Sequence, residues 1–280
     1  MTIKIVTDST AYLPEAMVRE HDIRVVPLCV HFGAEDFKEG VELSIAEFYT
    51  RLREAPELPS TSQPSPGDFR QVFEELAEQD HEILVLTISS RLSGTWNSAM
   101  AATEMLPEAR IMVVDSLSTS VGLHLMLMAA LESTQNGASL EHVAEQMEKI
   151  RDRMHVLFVV DTLEYLAKGG RIGNAKAFLG TLLKVKPILI LKDGAIEPLE
   201  QVRSKRKAEM RLLDLIEERL ADGAPQARVA VTHALVPDEA RVVAQELADR
   251  LGCAEPLVSE VGPVIGTHTG PGVVGVAAYV

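Results

Sequence analysis

The feature that most limits what this chain can fold into is an alternation. Short β-rich apolar runs are separated by segments with helical periodicity over the first 150 or so residues. "IKIVTD" is followed by the helical "LPEAMVREH", with Pro14 in its first turn, and then by the strand-like "IRVVPLCVHFG". "SIAEFYTRLRE" is helical with Ser44 as its N-cap, and "SPGDFRQVFEELAEQ" carries Phe69, Val72, Phe73 and Leu76 on one stripe. "HEILVLTI", "SGTWNSAMAATEML", "ARIMVVDS" and "VGLHLMLMAALESTQNG" continue the order. Strands separated by helices predict a parallel sheet covered on both faces.

After the helix "SLEHVAEQMEKIRDRM" the pattern changes. "HVLFVVDTL" reads as strand and "LEYLAKGGRIG" as a helical turn ending in glycines. "NAKAFLGTLLKVKPILILKDGAIEPLEQVRS" reads as helix, strand, a hairpin through Asp193-Gly194, and strand. A charged helix, the strand "ARVAVTHA", the helix "PDEARVVAQELADRLG" and the tail "VGPVIGTHTGPGVVGVAAYV" follow. The hairpin makes this half mixed. The expectation is therefore an α/β chain of two domains. Residues 1–155 would hold a mostly parallel sheet flanked by helices, and residues 156–280 a mixed sheet.

Charge narrows the partners. With 27 Lys plus Arg against 41 Asp plus Glu, the net charge is −14, which weighs against nucleic acid or an anionic membrane. No run is apolar enough to span a bilayer, and "MTIKIVTDST" reads as a strand, not a secretion signal, so a cytoplasmic protein is expected. Cys29 and Cys253 lie far apart and outside any CxxC or Cys/His cluster, which predicts buried free thiols and no zinc site. Aromatic residues are only 4%, so a pocket would be lined by aliphatic side chains.

"IVTDST", "MVVDSLST" and "FVVDTLEY" each close an apolar run with Asp followed by Ser or Thr. Asp8, Asp115 and Asp161 then read as helix caps at strand ends, or as groups gathered at a ligand crevice. None has the neighbouring carboxylate or Lys that phosphoryl transfer or a metal would want.

Ser93, in "SSRLSGTWNSA", follows a strand and precedes a glycine. A nucleophile elbow needs G-x-S-x-G, but Arg91 and Thr95 stand at the glycine positions. His233 and His268 follow in the chain, yet spacing alone pairs neither with Ser93. A nucleophilic Ser93 therefore ranks below a simple helix cap or a binding role, since Ser93, Gly94 and Thr95 offer hydroxyls and free N–H groups to an anion. "STSQPSPGDF" is a second hydroxyl-rich loop: Ser65 and Asp68 read as a cap, while Thr61 and Ser62 lie earlier and are free to donate. Arg171, among glycines in "YLAKGGRIG", reads as a carboxylate or phosphate contact or as a surface salt bridge. "GPGVVG" matches the dinucleotide fingerprint by letter, but only "VAAYV" follows it, too short for the required helix. No P-loop occurs. In "GTHTG", His268 is expected in an exposed turn, as a ligand contact or a plain loop histidine.

"IVTDST", "TSQPSPGDF", "SSRLSGTWNSA", "VDSLSTSVG", "DTLEYLAKGGRIG", "KPIL" and "GPVIGTHTGPGVVGVA" occur together in this order across essentially the whole chain. The set resembles the DegV family of bacterial fatty-acid-binding proteins. The resemblance implies a long-chain acyl group, palmitate for example, buried by two α/β domains and held by its carboxylate. Thr61 and Ser93 would be its principal contacts, with Ser62, Gly94, Arg171, His268 and Thr269 as further ones. It also implies a carrier and not an enzyme, with no cofactor besides the fatty acid. Some members of the family serve a separate ATP-binding kinase that phosphorylates the bound acid. The chain departs from the family pattern at Trp96, where tyrosine is expected, and at Ala167, where arginine is common. The alternative from a different class is a serine hydrolase or thioesterase using Ser93 and His268. A kinase or phosphatase is disfavoured by the missing phosphate loop and carboxylate pair.

Overall fold

The structure is a computed structural model describing residues 2–179 and 185–280. In chain order the first elements are β1 (Ile3–Asp8), α1 (Glu15–Glu20), β2 (Arg24–Val26), β3 (Cys29–Phe32), β4 (Glu35–Lys38) and α2 (Ile45–Glu54). There follow β5 (Ser60–Ser62), α3 (Pro66–Ala77), β6 (Glu82–Thr87), α4 (Thr95–Glu104), β7 (Ile111–Asp115), α5 (Ser120–Gln135) and α6 (Leu140–Arg153). The remainder comprises β8 (His155–Val159), α7 (Glu164–Lys168), β9 (Lys186–Lys192), β10 (Ala195–Val202), α8 (Lys205–Leu220) and β11 (Arg228–His233). It closes with α9 (Pro237–Leu251), β12 (Leu257–Glu260), α10 (Pro263–Thr269) and β13 (Val274–Tyr279).

β2, β1, β6 and β7 form a parallel sheet in that order. Successive side chains leave a strand on opposite faces, so Val6, Ile83 and Val85 meet Phe69, Phe73 and Leu76 of α3 with Ala99 and Ala102 of α4. Ile5, Leu84 and Leu86 point the other way, into a core built with α5 and α6. Burial on both faces is why these strands read as unbroken apolar runs.

The second sheet runs β10-β9-β8-β13-β11-β12, antiparallel except for the β11–β12 pair, so it is mixed as expected. Leu157, Val159, Val231 and Val276 pack beneath α8 and α9. Val156, Phe158, Leu189 and Ala277 face the core that also holds α5. α5 therefore lies between the two sheets and is apolar nearly all round, from Val121 through Leu131. Asp193 and Gly194 take φ of +49° and +77° and close the β9–β10 hairpin, as their sequence requires.

Four readings change. "IRVVPLCVHFG" is not one strand: it breaks at Pro27, leaving β2 in the parallel sheet and β3 in a small antiparallel sheet, β4-β3-β5. Pro27 has no N–H to give a ladder and restricts Val26 before it. Ser60–Ser62 is accordingly an edge strand of that sheet and not a loop. "GPVIGTHTG" is not a turn, because Pro263 opens α10 at its first position. The helix expected from "NAKAFLGTLLK" is a 3-10 segment over Gly173–Phe178, and its continuation at 180–184 lies outside the described residues.

The capping residues behave as read: Ser44 caps α2, and Ser65 with Asp68 forms a capping box on α3. Asp8 likewise caps the 3-10 turn Ser9–Ala11. Asp115 and Asp161 do not cap the helices that follow them: Asp115 accepts from Ser90 and Leu117 N–H in the loop, and Asp161 is paired with Lys186, a partner distant in sequence. Cys29 and Cys253 are free but half-buried, not buried. Among the described residues no helix is long and apolar enough to cross a membrane.

Candidate functional site

Strands of the small and mixed sheets and the turn that leaves the parallel sheet after β6 line one cavity, with about 880 Å³ of atom-free space including its mouth. The small sheet supplies Thr61, the turn after β6 supplies Ile88, Leu92 and Ser93, and the start of α5 supplies Thr119 to Val121. Val156, Phe158, Leu191, Ile196 and Val276 come from the mixed sheet, and Val264, Ile265, His268 and Thr269 from α10. The dominance of aliphatic side chains, with a few polar groups among them, is that of a small-molecule pocket.

Five of the seven sequence-selected residues line it: Thr61, Ser93, Arg171, His268 and Thr269. Thr61 Oγ1 lies 2.9 Å from His268 Nε2 across 207 residues of sequence. Ser93 Oγ is 2.9 Å from Thr95 Oγ1, and Ser93 is not the helix cap, a place Gly94 takes. Arg171 donates from Nε to the Leu92 carbonyl (3.1 Å) and from Nη1 to the Gly169 carbonyl (2.8 Å). No carboxylate among the described residues pairs with it, so it is not the salt bridge that was its alternative. Thr269 donates to the Ile265 carbonyl at 3.0 Å.

Ser62 and Gly94 do not line the cavity. The two-residue period of β5 sends Thr61 inward and Ser62 outward, where its Oγ meets His31 Nε2 at 2.8 Å. Gly94 instead leaves room for Gln63: a Cβ there would sit 2.9 Å from Gln63 Nε2. Gln63 is the lining residue that the "TSQPSPGDF" motif contained but that was not singled out. Neither Trp96 nor Ala167 lines the cavity.

His268 is buried, against the expectation of an exposed turn. Its ring rests on Gly169, whose missing Cβ would fall 2.2 Å from Nδ1, and among the described residues Nδ1 has no hydrogen-bond partner. Burial holds the imidazole down at about 4, with the charge of Arg171 adding to the effect. At neutral pH His268 is therefore uncharged, a hydrogen-bonding group and not a cation. Nor does it form a triad: Ser93 bonds Thr95, His268 bonds Thr61, and no acid orients Nδ1. Among the described residues no group of three metal-ligating side chains is present.

α10 carries His268 and Thr269 and is short, rich in Gly and Thr, and poor in intrinsic helix propensity. Its first turn is held from far away. Glu39 Oε1 accepts from Val264 N–H (2.7 Å), and Tyr12 Oη accepts from Ile265 N–H (3.1 Å). Ser9 also donates to Glu39, and Tyr12 donates to it at 3.3 Å. Burial raises the Glu39 carboxyl to about 7; the nearby Asp8 adds to the rise, while bonds from Ser9, Val264 and Tyr12 oppose it. A carboxyl raised above its unfolded value stabilises the fold below about 4.5 and loses that contribution as pH rises through about 7. Chemical denaturation should therefore show wild type losing stability relative to Glu39→Gln between pH 5 and pH 8. A difference that stays flat over that window would contradict it.

The chain matches the DegV family model, described as that of an uncharacterised protein, over residues 2–280. It belongs to the DegV family. Among DegV relatives, a DegV domain-containing protein of Halalkalibacterium halodurans is 39% identical, over 99% of this chain and 98% of its own. Protein DegV of Bacillus subtilis is 38% identical over the same shares. A fatty-acid-binding DegV family protein from Thermus thermophilus superposes with a TM-score of 0.94 at 40% identity, covering 100% of this chain and 99% of the other. A stearic-acid-binding protein from Eubacterium ventriosum gives 0.92 at 30% identity, covering 100% and 98%.

Proposed function

We propose that this DegV-family chain binds a long-chain fatty acid in the cavity, carboxylate toward Thr61, Ser93 and Arg171 and tail along the aliphatic wall. The observation that carries the reading is Arg171, a cavity-lining cation without a carboxylate partner among the described residues, set beside neutral hydroxyls and a neutral imidazole. A carboxylate supplies the missing charge and accepts from these donors. Burying the tail contributes about 0.8 kcal/mol per CH₂, so the wall supplies most of the affinity and the polar group sets orientation. The fatty-acid-binding relatives from Thermus thermophilus and Eubacterium ventriosum support the same ligand class.

We further propose that the bound acid is presented to a separate ATP-binding kinase or carried in lipid transport, a reading that rests on the family resemblance. In the kinase case the partner transfers the terminal phosphoryl group of ATP to a carboxylate oxygen, releasing ADP and leaving an acyl phosphate. The division into domains at 155/156 belongs to the same reading, supported by a mixed sheet drawn wholly from residues after Met154.

Titration of delipidated protein tests the assignment of the head group. Palmitic acid should bind at least about tenfold tighter than hexadecanol, since charge-assisted bonds to the head group contribute roughly 1.5–3 kcal/mol each. Equal affinities would remove the carboxylate from Arg171. In the same protein a fluorophosphonate should leave Ser93 unlabelled.

A further inference from the structure

Three hydroxyls that the head-group reading does not use line the same cavity. They belong to Thr119, Ser120 and Thr232, and their neighbours in the wall are Val121, Val156 and Phe158. Ser120 Oγ donates to Thr232 Oγ1 at 3.3 Å, and Thr232 Oγ1 donates to the Ser259 carbonyl at 3.1 Å. Ser120 and Thr232 are only 5% and 7% exposed. Thr119 Oγ1 is buried with no partner among the described residues, although Thr119 stands at the N-cap of α5 where its side chain would ordinarily accept from the first turn. No hydrogen bond joins this group to Thr61, His268 or Arg171 among the described residues.

The backbone that presents them is strained. Leu117 and Ser120 have φ of +47° and +50°, a conformation unfavourable for any residue with a Cβ. Local bonds hold it there: Asp115 accepts from Leu117 N–H, Ser116 Oγ from Ser118 N–H, and the Ser118 carbonyl from Ser89 N–H. At Thr119 a valine would line a hydrocarbon tunnel without a desolvated hydroxyl, so a plain alkyl tail leaves the Thr119 hydroxyl uncompensated.

We infer that the cavity accepts an acyl chain bearing a hydroxyl group on its tail, which hydrogen-bonds to Thr119 and the Ser120–Thr232 pair. The inference rests on the fatty-acid reading and narrows its ligand class. A hydroxyl both donates and accepts, matching hydroxyls that do the same. A second carboxylate does not match, because the titratable lining residues are Arg171 and His268, both in the head-group cluster.

Delipidated wild type, Thr119→Val and Thr232→Val would be titrated with stearic acid, with monohydroxystearic acids substituted at successive positions, and with octadecanedioic acid. At least one hydroxy isomer should bind wild type about fivefold tighter than stearate, the worth of one neutral hydrogen bond. Thr119→Val should abolish that advantage while binding stearate as well as or better than wild type, which also reports that it folds. The dicarboxylic acid should bind no tighter than stearate. If stearate binds and no hydroxy isomer exceeds it, or the advantage survives in both variants, the inference is overturned and the fatty-acid reading stands. If neither stearate nor any hydroxy acid binds, both fall.

Discussion

Thr61→Val combined with Ser93→Ala is expected to weaken long-chain fatty acid binding by about three orders of magnitude. Each hydroxyl facing a carboxylate contributes roughly 1.5–3 kcal/mol, and two together amount to about a hundredfold to ten-thousandfold. The Thr61 change acts twice, because it also takes the partner from His268 Nε2 in a ring whose Nδ1 has none. Binding of the uncharged hexadecanol, which depends on the aliphatic wall, should change by less than about tenfold. Isothermal titration of both ligands against wild type and the double variant checks this. Undiminished binding of palmitate by the double variant would refute the placement of the head group.

Gly169→Ala should cost roughly ten- to a hundredfold in fatty acid affinity, though Gly169 itself donates nothing to the ligand. Its φ of −76° suits alanine, so the effect is one of contact and not of backbone strain. The added Cβ would lie 2.2 Å from His268 Nδ1, 2.9 Å from Cε1 and 3.0 Å from the Tyr165 carbonyl, so the ring must leave its place beside Thr61. Gly170→Ala provides the contrast. Gly170 has φ of +71° and nothing within 4 Å of a new Cβ, so that variant should lose stability and keep its affinity. Thermal unfolding and palmitate titration of the two variants separate the cases. If Gly170→Ala lost affinity and Gly169→Ala did not, the His268 contact would carry no weight.

The parallel half was legible because burial on both faces writes itself as unbroken apolar runs, as in Ile83 to Leu86. The β9–β10 hairpin was legible because two successive residues with positive φ ask for Asp-Gly. The small sheet was not. β5 is "STS", with no apolar side chain, and its strand character comes wholly from pairing with Cys29, Val30 and His31. That omission also cost Ser62, since recognising a strand would have turned it away from Thr61. α10 was hidden for a related reason: its first turn is held by Glu39 and Tyr12, 225 and 253 residues distant. Local propensity cannot report a partner at that range. The burial of His268 follows from the close approach of Gly169, again a tertiary fact. Thr119, Ser120 and Thr232 were present in the sequence without a pattern to mark them, because the cavity alone brings the start of α5 against β11.

The most direct measurement is mass spectrometry of the lipid released on denaturing protein purified without added fatty acid, with the Thr61→Val/Ser93→Ala variant treated in parallel. Close to one long-chain fatty acid per wild-type chain is expected, and far less from the variant. A wild-type protein that yields no fatty acid and whose Ser93 reacts with a fluorophosphonate would contradict the account and favour a hydrolase.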